Sequence, residues 1–98
     1  MKITKNIEGT KLNIALAGRL DTMTAPELEA AIAGDLANVS SAVLDLAELE
    51  YVSSAGLRVI LSMHKELLKK EGLVVKNSNE TVSEVFEVTG FSDILTIE

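Results

Sequence analysis

The chain has 98 residues, of which 47% are hydrophobic and 3% aromatic, enough for one domain with an aliphatic core. Its net charge of −6 argues against nucleic acid or an anionic membrane surface as a partner, and suits a basic partner. The lack of cysteine excludes disulfides, thiolate catalysis and cysteine metal sites. With no signal-peptide pattern and no run of about 18 apolar residues, we expect a cytoplasmic protein without direct membrane insertion.

The first twenty residues predict a β-hairpin. Residues 2–7 are typical of a short strand, and residues 8–10 contain the glycine of a turn. Over residues 11–18 apolar side chains alternate with polar or small ones, which is the periodicity of a strand. The two strands therefore pair as an N-terminal hairpin.

The next segment predicts a helix at about 25–37. Thr24 is followed three residues later by Glu27, which is the spacing of a capping box, and Pro26 is tolerated in the first turn of a helix. Apolar residues then recur at helical spacing, at Leu28, Ala31, Ile32 and Leu36.

The second half alternates strands and helices. The predicted elements are a strand at 42–46, a helix at 54–70, a strand at 73–76, a helix capped by Asn79 and running to Thr89, and a strand at 93–97. The order β-β-α-β-α-β-α-β implies parallel strands joined by right-handed crossovers, with the hairpin as an antiparallel edge. The fold class is therefore a small α/β domain with a mixed sheet and about three helices.

The long helix has two apolar faces. One stripe is expected to face the core, at Leu57, Ile60, Leu61, Leu67 and Leu68. Val59 and Met63 then lie with Ala55 on another flank, where two large apolar side chains exceed what a solvated face requires. They form either a surface that recognises a partner or a contact with a neighbouring helix.

Motifs of enzymatic sites are missing. The chain has no phosphate-binding glycine loop and no nucleophile elbow. The one histidine, His64, lies ten residues beyond Ser54 on the same predicted helix, roughly 15 Å away, which is too far for a general base. The acid cluster of a receiver domain is also missing. We therefore expect a binding protein without catalytic residues, cofactor or metal.

Two adjacent serines stand directly before the long helix. Serine is among the best N-cap residues, so one of them is expected to cap the helix. The free N–H groups and the positive dipole end of a helix N-terminus also accommodate a phosphate. Ala55 and Gly56 carry no bulky side chain, so a kinase or partner can approach the backbone of this segment closely.

Three ordered segments resemble the STAS domain of anti-sigma factor antagonists. "YVSSAGLRVILSMHKELLKKEG" resembles the signature of that family, a short serine-containing loop followed by an apolar helix. "LAGRLDTMTAPELEAAI" resembles its G-x-L-D segment, and "VSEVFEVTGFSDILTI" resembles its last helix and final strand. The resemblance covers nearly the whole chain and implies one STAS domain over residues 1–98.

The resemblance implies a partner-switching protein. In this family the unphosphorylated antagonist binds an anti-sigma factor that is also a serine kinase, which frees the sigma factor. The kinase then phosphorylates the antagonist on a serine, the complex dissociates, and a serine phosphatase resets the switch. STAS domains also serve as subunits of lipid-transport complexes and of stressosome scaffolds, which remains the alternative reading.

The family motif can be placed on single residues. The usual acceptor stands two residues before Gly56, at Ser54, and Ser53 stands where the family has Asp, which leaves Ser53 as an alternative acceptor. Asp21 matches the acid of the G-x-L-D segment and is expected near the serines, either to orient the hydroxyl for the kinase or as a loop acid at the first helix cap. The expected partner-binding residues are Asp21, Ser53, Ser54, Ala55, Gly56, Val59 and Met63.

Overall fold

The computed structural model describes all 98 residues. Its strands are β1 (Lys2–Glu8), β2 (Lys11–Leu20), β3 (Ser41–Val52), β4 (Gly72–Lys76) and β5 (Thr96–Ile97). Its helices are α1 (Ala25–Ile32), α2 (Ser54–Leu68) and α3 (Glu80–Val88), with a short 3-10 turn at Phe91–Asp93. The predicted α/β fold class and the predicted order of elements are confirmed. None of the helices combines the length and the apolar character needed to cross a membrane.

The five strands form one mixed sheet in the order β1-β2-β3-β4-β5. β1 pairs with β2 antiparallel, and the other three pairs are parallel. Each crossover leads to the next strand in the same direction, so right-handed connections place all three helices on one face. The burial of alternate residues agrees with this arrangement, since Leu12, Ile14 and Leu16 are buried and their neighbours on β2 are not.

The core lies between the sheet and the helices. It is one cluster of 23 apolar side chains, and no polar or charged side chain is buried. Every charged group is therefore at the surface, where the chemistry of the protein must also lie.

β3 extends further than predicted, to Val52. Two register shifts accompany the extension of β3. Ala15 and Ala17 of β2 pair with Asp45 and Glu48, so β3 has one extra residue between these pairs, and it has another before Tyr51. These β-bulges disturb the alternation of side chains, and the Asp45 carboxylate accepts a hydrogen bond of 3.0 Å from the Ala47 amide at the first of them. The extension brings the end of β3 level with the end of β2.

α1 begins at Ala25 as predicted, but its C-terminal end and its N-terminal capping differ from the prediction. It stops at Ile32, and a series of turns replaces the predicted last helical turn. The capping box is wrong, because the Thr24 side chain makes no cap hydrogen bond. Its hydroxyl instead accepts from the Asp21 amide at 2.8 Å and lies 2.8 Å from the Arg19 carbonyl oxygen, to which it can donate.

The buried face of α2 also differs from the prediction. Val59 is 5% exposed and Met63 is fully buried, whereas Leu61 is half-buried and Leu68 is 65% exposed. Since α1 packs against α2, the helix buries the flank that contains Val59 and Met63 as well as the side that faces the sheet. The prediction that these two residues recognise a partner is therefore wrong, and the alternative of packing against a neighbouring helix is correct.

The C-terminal part follows its sequence signals closely. Asn79 caps α3 by accepting a hydrogen bond of 2.8 Å from the Val82 amide, as predicted. Gly90 adopts the left-handed conformation (φ +82°) that was predicted after this helix. The last strand is shorter than predicted, because Phe91–Asp93 form the 3-10 turn before it.

Candidate functional site

The candidate site lies at the carboxyl ends of β2 and β3. Leu20 and Val52, the last residues of these strands, are paired, and the Ser53 amide donates a hydrogen bond of 2.8 Å to the Leu20 carbonyl. The turn that follows β2 and the start of α2 therefore lie side by side. This edge is where open α/β sheets usually place their binding residues.

The two serines have different environments. Ser53 is the N-cap of α2, with extended backbone (φ −96°, ψ 176°), and its hydroxyl accepts a hydrogen bond of 3.3 Å from the Gly56 amide. Ser54 is the first residue of the helix and is exposed, and its hydroxyl has no hydrogen-bond partner within the chain. The capping role therefore belongs to Ser53, and the free hydroxyl belongs to Ser54.

Gly56 allows α2 to begin against the sheet. A Cβ atom at this position would lie 2.6 Å from Leu20 Cγ, 2.9 Å from the Leu20 carbonyl oxygen and 2.9 Å from Val52 Cγ2. Such distances are far inside van der Waals contact, so only glycine fits without displacement. Packing of α2 against the sheet therefore requires glycine at position 56. The sequence suggested a different reason for a small residue here, which was close approach by a partner.

Asp21 organises the turn after β2. Its Oδ1 accepts hydrogen bonds from the amides of Met23 (3.0 Å) and Thr24 (3.2 Å). Partial desolvation raises the pKa of Asp21, but these hydrogen bonds, the Thr24 hydroxyl and the Arg19 charge together hold that pKa below its ordinary value. Asp21 forms no hydrogen bond to either serine, so the geometry favours its role as a loop acid near the start of α1.

The predicted site residues thus divide into two groups. Asp21, Ser53, Ser54, Ala55 and Gly56 meet at this end of the sheet, while Val59 and Met63 lie inside the core. No group of three acidic or histidine side chains is placed to hold a metal ion. The distinctive chemical group of the site is therefore the free hydroxyl of Ser54 at a helix N-terminus.

Comparison with known families decides the assignment. A family model described as "Mlab, STAS domain" matches residues 3–96, nearly the whole chain. The chain belongs to the STAS domain family. The resemblance of the three sequence segments is therefore confirmed.

Two similar proteins carry the name of an anti-sigma factor antagonist. BtrV of Bordetella bronchiseptica, which carries the name of an anti-sigma factor antagonist, is 38% identical over 99% of this chain and 85% of its own length. The anti-sigma-B factor antagonist of Listeria monocytogenes is 32% identical over 89% of this chain and 78% of its own length.

Solved structures share the STAS fold. Unphosphorylated SpoIIAA, an anti-sigma factor antagonist, matches with a TM-score of 0.85 over 99% of this chain and 88% of its own, at 21% identity. The phosphorylated form of Bacillus SpoIIAA matches with a TM-score of 0.77, over 99% of this chain and 91% of its own, at 20% identity. At these identities the likeness shows the fold.

Two exposed residues of the STAS domain's carboxyl-end surface were not singled out in the sequence. Arg58 is exposed one helical turn after Ser54, and the i, i+4 spacing that places it there is readable in the sequence. Met23 is 83% exposed in the turn formed by Asp21, and no sequence pattern marks it. A shallow depression separates the starts of α1 and α2 and is lined by Thr22, Ala25, Pro26, Glu29, Ala55, Arg58 and Val59.

Proposed function

We propose that residues 1–98 form one STAS domain that acts in the cytoplasm as an anti-sigma factor antagonist. The unphosphorylated protein binds an anti-sigma factor with serine kinase activity and releases the sigma factor. The names of the two relatives support this activity, since each match covers most of both chains. The observation that carries the proposed switch is the free, exposed hydroxyl of Ser54 at the start of α2.

Ser54 is a better phosphate acceptor than Ser53. The Ser53 hydroxyl is half-buried and occupied as a helix cap, so its modification costs the cap. The Ser54 hydroxyl has no role within the fold and points to solvent-accessible space that a kinase can reach. Transfer moves the γ-phosphoryl group of ATP to Ser54 Oγ, with the hydroxyl proton taken by the kinase and ADP leaving.

The phosphate is expected to act on the interface while leaving the fold intact. A phosphoserine carries about −1.5 to −2 charges, and a helix N-terminus stabilises negative charge. The same charge placed in a protein interface must be desolvated or paired, which weakens a complex formed without it. SpoIIAA is known in an unphosphorylated and a phosphorylated form, which supports the view that this fold tolerates both states. A serine phosphatase would return the protein to its binding form.

Capture from a native extract tests the partner. The wild-type protein is immobilised and the bound proteins are identified, and we expect an anti-sigma factor with a kinase domain. Recovery of a membrane ATPase or of a large scaffold in its place would contradict the proposal and favour the alternative, a subunit of a lipid-transport or stressosome-type assembly.

Mapping of the phosphate tests the switch. The recovered kinase is incubated with ATP and with wild type, Ser53→Ala or Ser54→Ala, and the products are fragmented in a mass spectrometer. We expect phosphate on Ser54 in wild type and Ser53→Ala, and none in Ser54→Ala. Phosphate confined to Ser53 would overturn the assignment of the acceptor.

A further inference from the structure

Large apolar side chains are exposed at five positions, and their distribution over the molecule is uneven. They are Ile7, Met23, Leu68, Val88 and Ile94. Ile7 pairs with Leu12 near the start of β2, and Leu68 ends the helix that leads to the start of β4. Val88 and Ile94 lie between the end of α3 and the start of β5. These four are therefore at the amino end of the parallel strands. Met23 alone is at the carboxyl end, in the turn that follows β2, next to the segment that carries Ser54.

The backbone that carries Met23 is tightly held. The Met23 amide donates to Asp21 Oδ1 at 3.0 Å, and the Ala25 amide donates to the Asp21 carbonyl at 2.8 Å. The Thr24 hydroxyl ties the same turn to the Arg19 carbonyl at 2.8 Å. Met23 is thus presented to solvent from a fixed turn, with 83% of its surface exposed.

The fold gains nothing from this exposure. A methionine contributes to stability by burying its side chain, and Met23 buries little of it. Methionine adapts its shape to the partner surface, which makes it frequent in protein-binding sites. The depression lined by Thr22 and Ala55 directly adjoins the turn, so the surface around Met23 is continuous with that around Ser54.

We expect a protein that docks on Ser54 to cover Met23 as well. A standard interface takes about 800 Å² from each partner, which is about one-seventh of the 5418 Å² surface of this small domain. Ser54 and Met23 belong to the two adjacent segments joined by the hydrogen bond between Ser53 and Leu20. A footprint of that size centred on Ser54 includes both segments.

We propose that Met23 is the apolar anchor of the interface with the anti-sigma factor, inserted into an apolar pocket of that partner, and that Asp21 is the positioning residue that fixes the turn. The inference rests on the proposed function. In this proposal Asp21 contributes to recognition without contacting the kinase, because its carboxylate accepts hydrogen bonds from the amides of its own turn.

Binding measurements on matched variants test the anchor. The purified anti-sigma factor recovered by capture is titrated in a calorimeter with wild type, Met23→Ala, Met23→Leu and Leu68→Ala, whose exposed side chain of similar size lies at the opposite end of α2. We expect Met23→Ala to weaken binding at least about tenfold, as for residues at the centre of an interface. Met23→Leu and Leu68→Ala should bind like wild type, and the melting temperatures of all four proteins should agree.

The outcomes separate the two proposals. If wild type binds the anti-sigma factor and Met23→Ala binds equally well, the anchor is refuted and the proposed function stands. Equal losses in Met23→Ala and Leu68→Ala would also refute it, since the effect would not be specific to this end of the molecule. If wild type does not bind, the proposed function fails and the anchor with it.

Discussion

Replacement of Gly56 by alanine tests how closely α2 must approach the sheet. The added Cβ would meet three atoms of Leu20 and Val52 at 2.6–2.9 Å, and one of them is a backbone oxygen that cannot move alone. Overpacking of this kind costs about 1–3 kcal/mol, and three contacts place it near the upper end. The better helix propensity of alanine returns up to about 1 kcal/mol. The net expectation is a loss of about 2 kcal/mol, or roughly 8–16 °C in melting temperature for a domain of this size.

Urea unfolding of wild type, Gly56→Ala and Gly34→Ala measures this effect. Gly34 is the matched control, because a Cβ there meets nothing within 4 Å and its φ is not in the left-handed region. Alanine at position 34 should leave the free energy of unfolding unchanged or raise it by up to about 1 kcal/mol. If Gly56→Ala were as stable as Gly34→Ala, α2 could shift freely, and the claim that glycine fixes its start beside Leu20 would fail.

Four further substitutions test the assignments of single residues. Met63→Ala should lower the free energy of unfolding by about 2–5 kcal/mol, because the side chain is fully buried. A melting temperature equal to that of wild type would contradict this burial. Ser53→Ala should lower the free energy of unfolding by about 0.5–2 kcal/mol because the cap is lost, whereas Ser54→Ala should leave it almost unchanged. If thermal denaturation showed Ser54→Ala to be the less stable variant, Ser54 would be the cap. Asp21→Asn keeps an oxygen that accepts from the turn amides, so stability at neutral pH should change little. The folded-state pKa of Asp21 lies below the ordinary value of 3.8. The charged carboxylate therefore stabilises the folded protein at higher pH, and this contribution is lost as the pH falls through the folded-state pKa. The variant should therefore lose stability less steeply in acid than wild type, and an unchanged acid profile would contradict the assigned hydrogen bonds.

The order of elements was predictable because most strands and helices keep a regular apolar period. β3 was predicted only in its first half, since the bulges place Ala47 and Glu48 side by side on exposed positions and break the alternation. The face of α2 could not be predicted either. A helical pattern gives the spacing of apolar residues, but the position of α1, which packs against α2, is a property of the tertiary structure.

The site was predictable in its location and less so in its details. The G-x-L-D segment and the serines were expected to meet, and pairing of the ends of β2 and β3 brings them together. Thr24 and Asp21 are both good cap residues in sequence. Only the hydrogen bonds show that the Thr24 side chain leaves α1 uncapped, while the Asp21 carboxylate accepts from the Met23 and Thr24 amides in the turn before the helix. Ser53 and Ser54 are likewise equivalent as residue types. They differ because the helix begins between them, which makes one a cap and leaves the other free.

The central claim is that a phosphate on Ser54 controls the binding of an anti-sigma factor. The most direct measurement is calorimetric titration of the purified anti-sigma factor with unmodified protein and with protein carrying phosphate only on Ser54, each checked by mass spectrometry and thermal denaturation. We expect the unmodified protein to bind and the phosphorylated protein to bind at least about tenfold more weakly, a difference of about 1.4 kcal/mol or more, with both proteins folded. Equal affinity of the two folded forms would contradict the account.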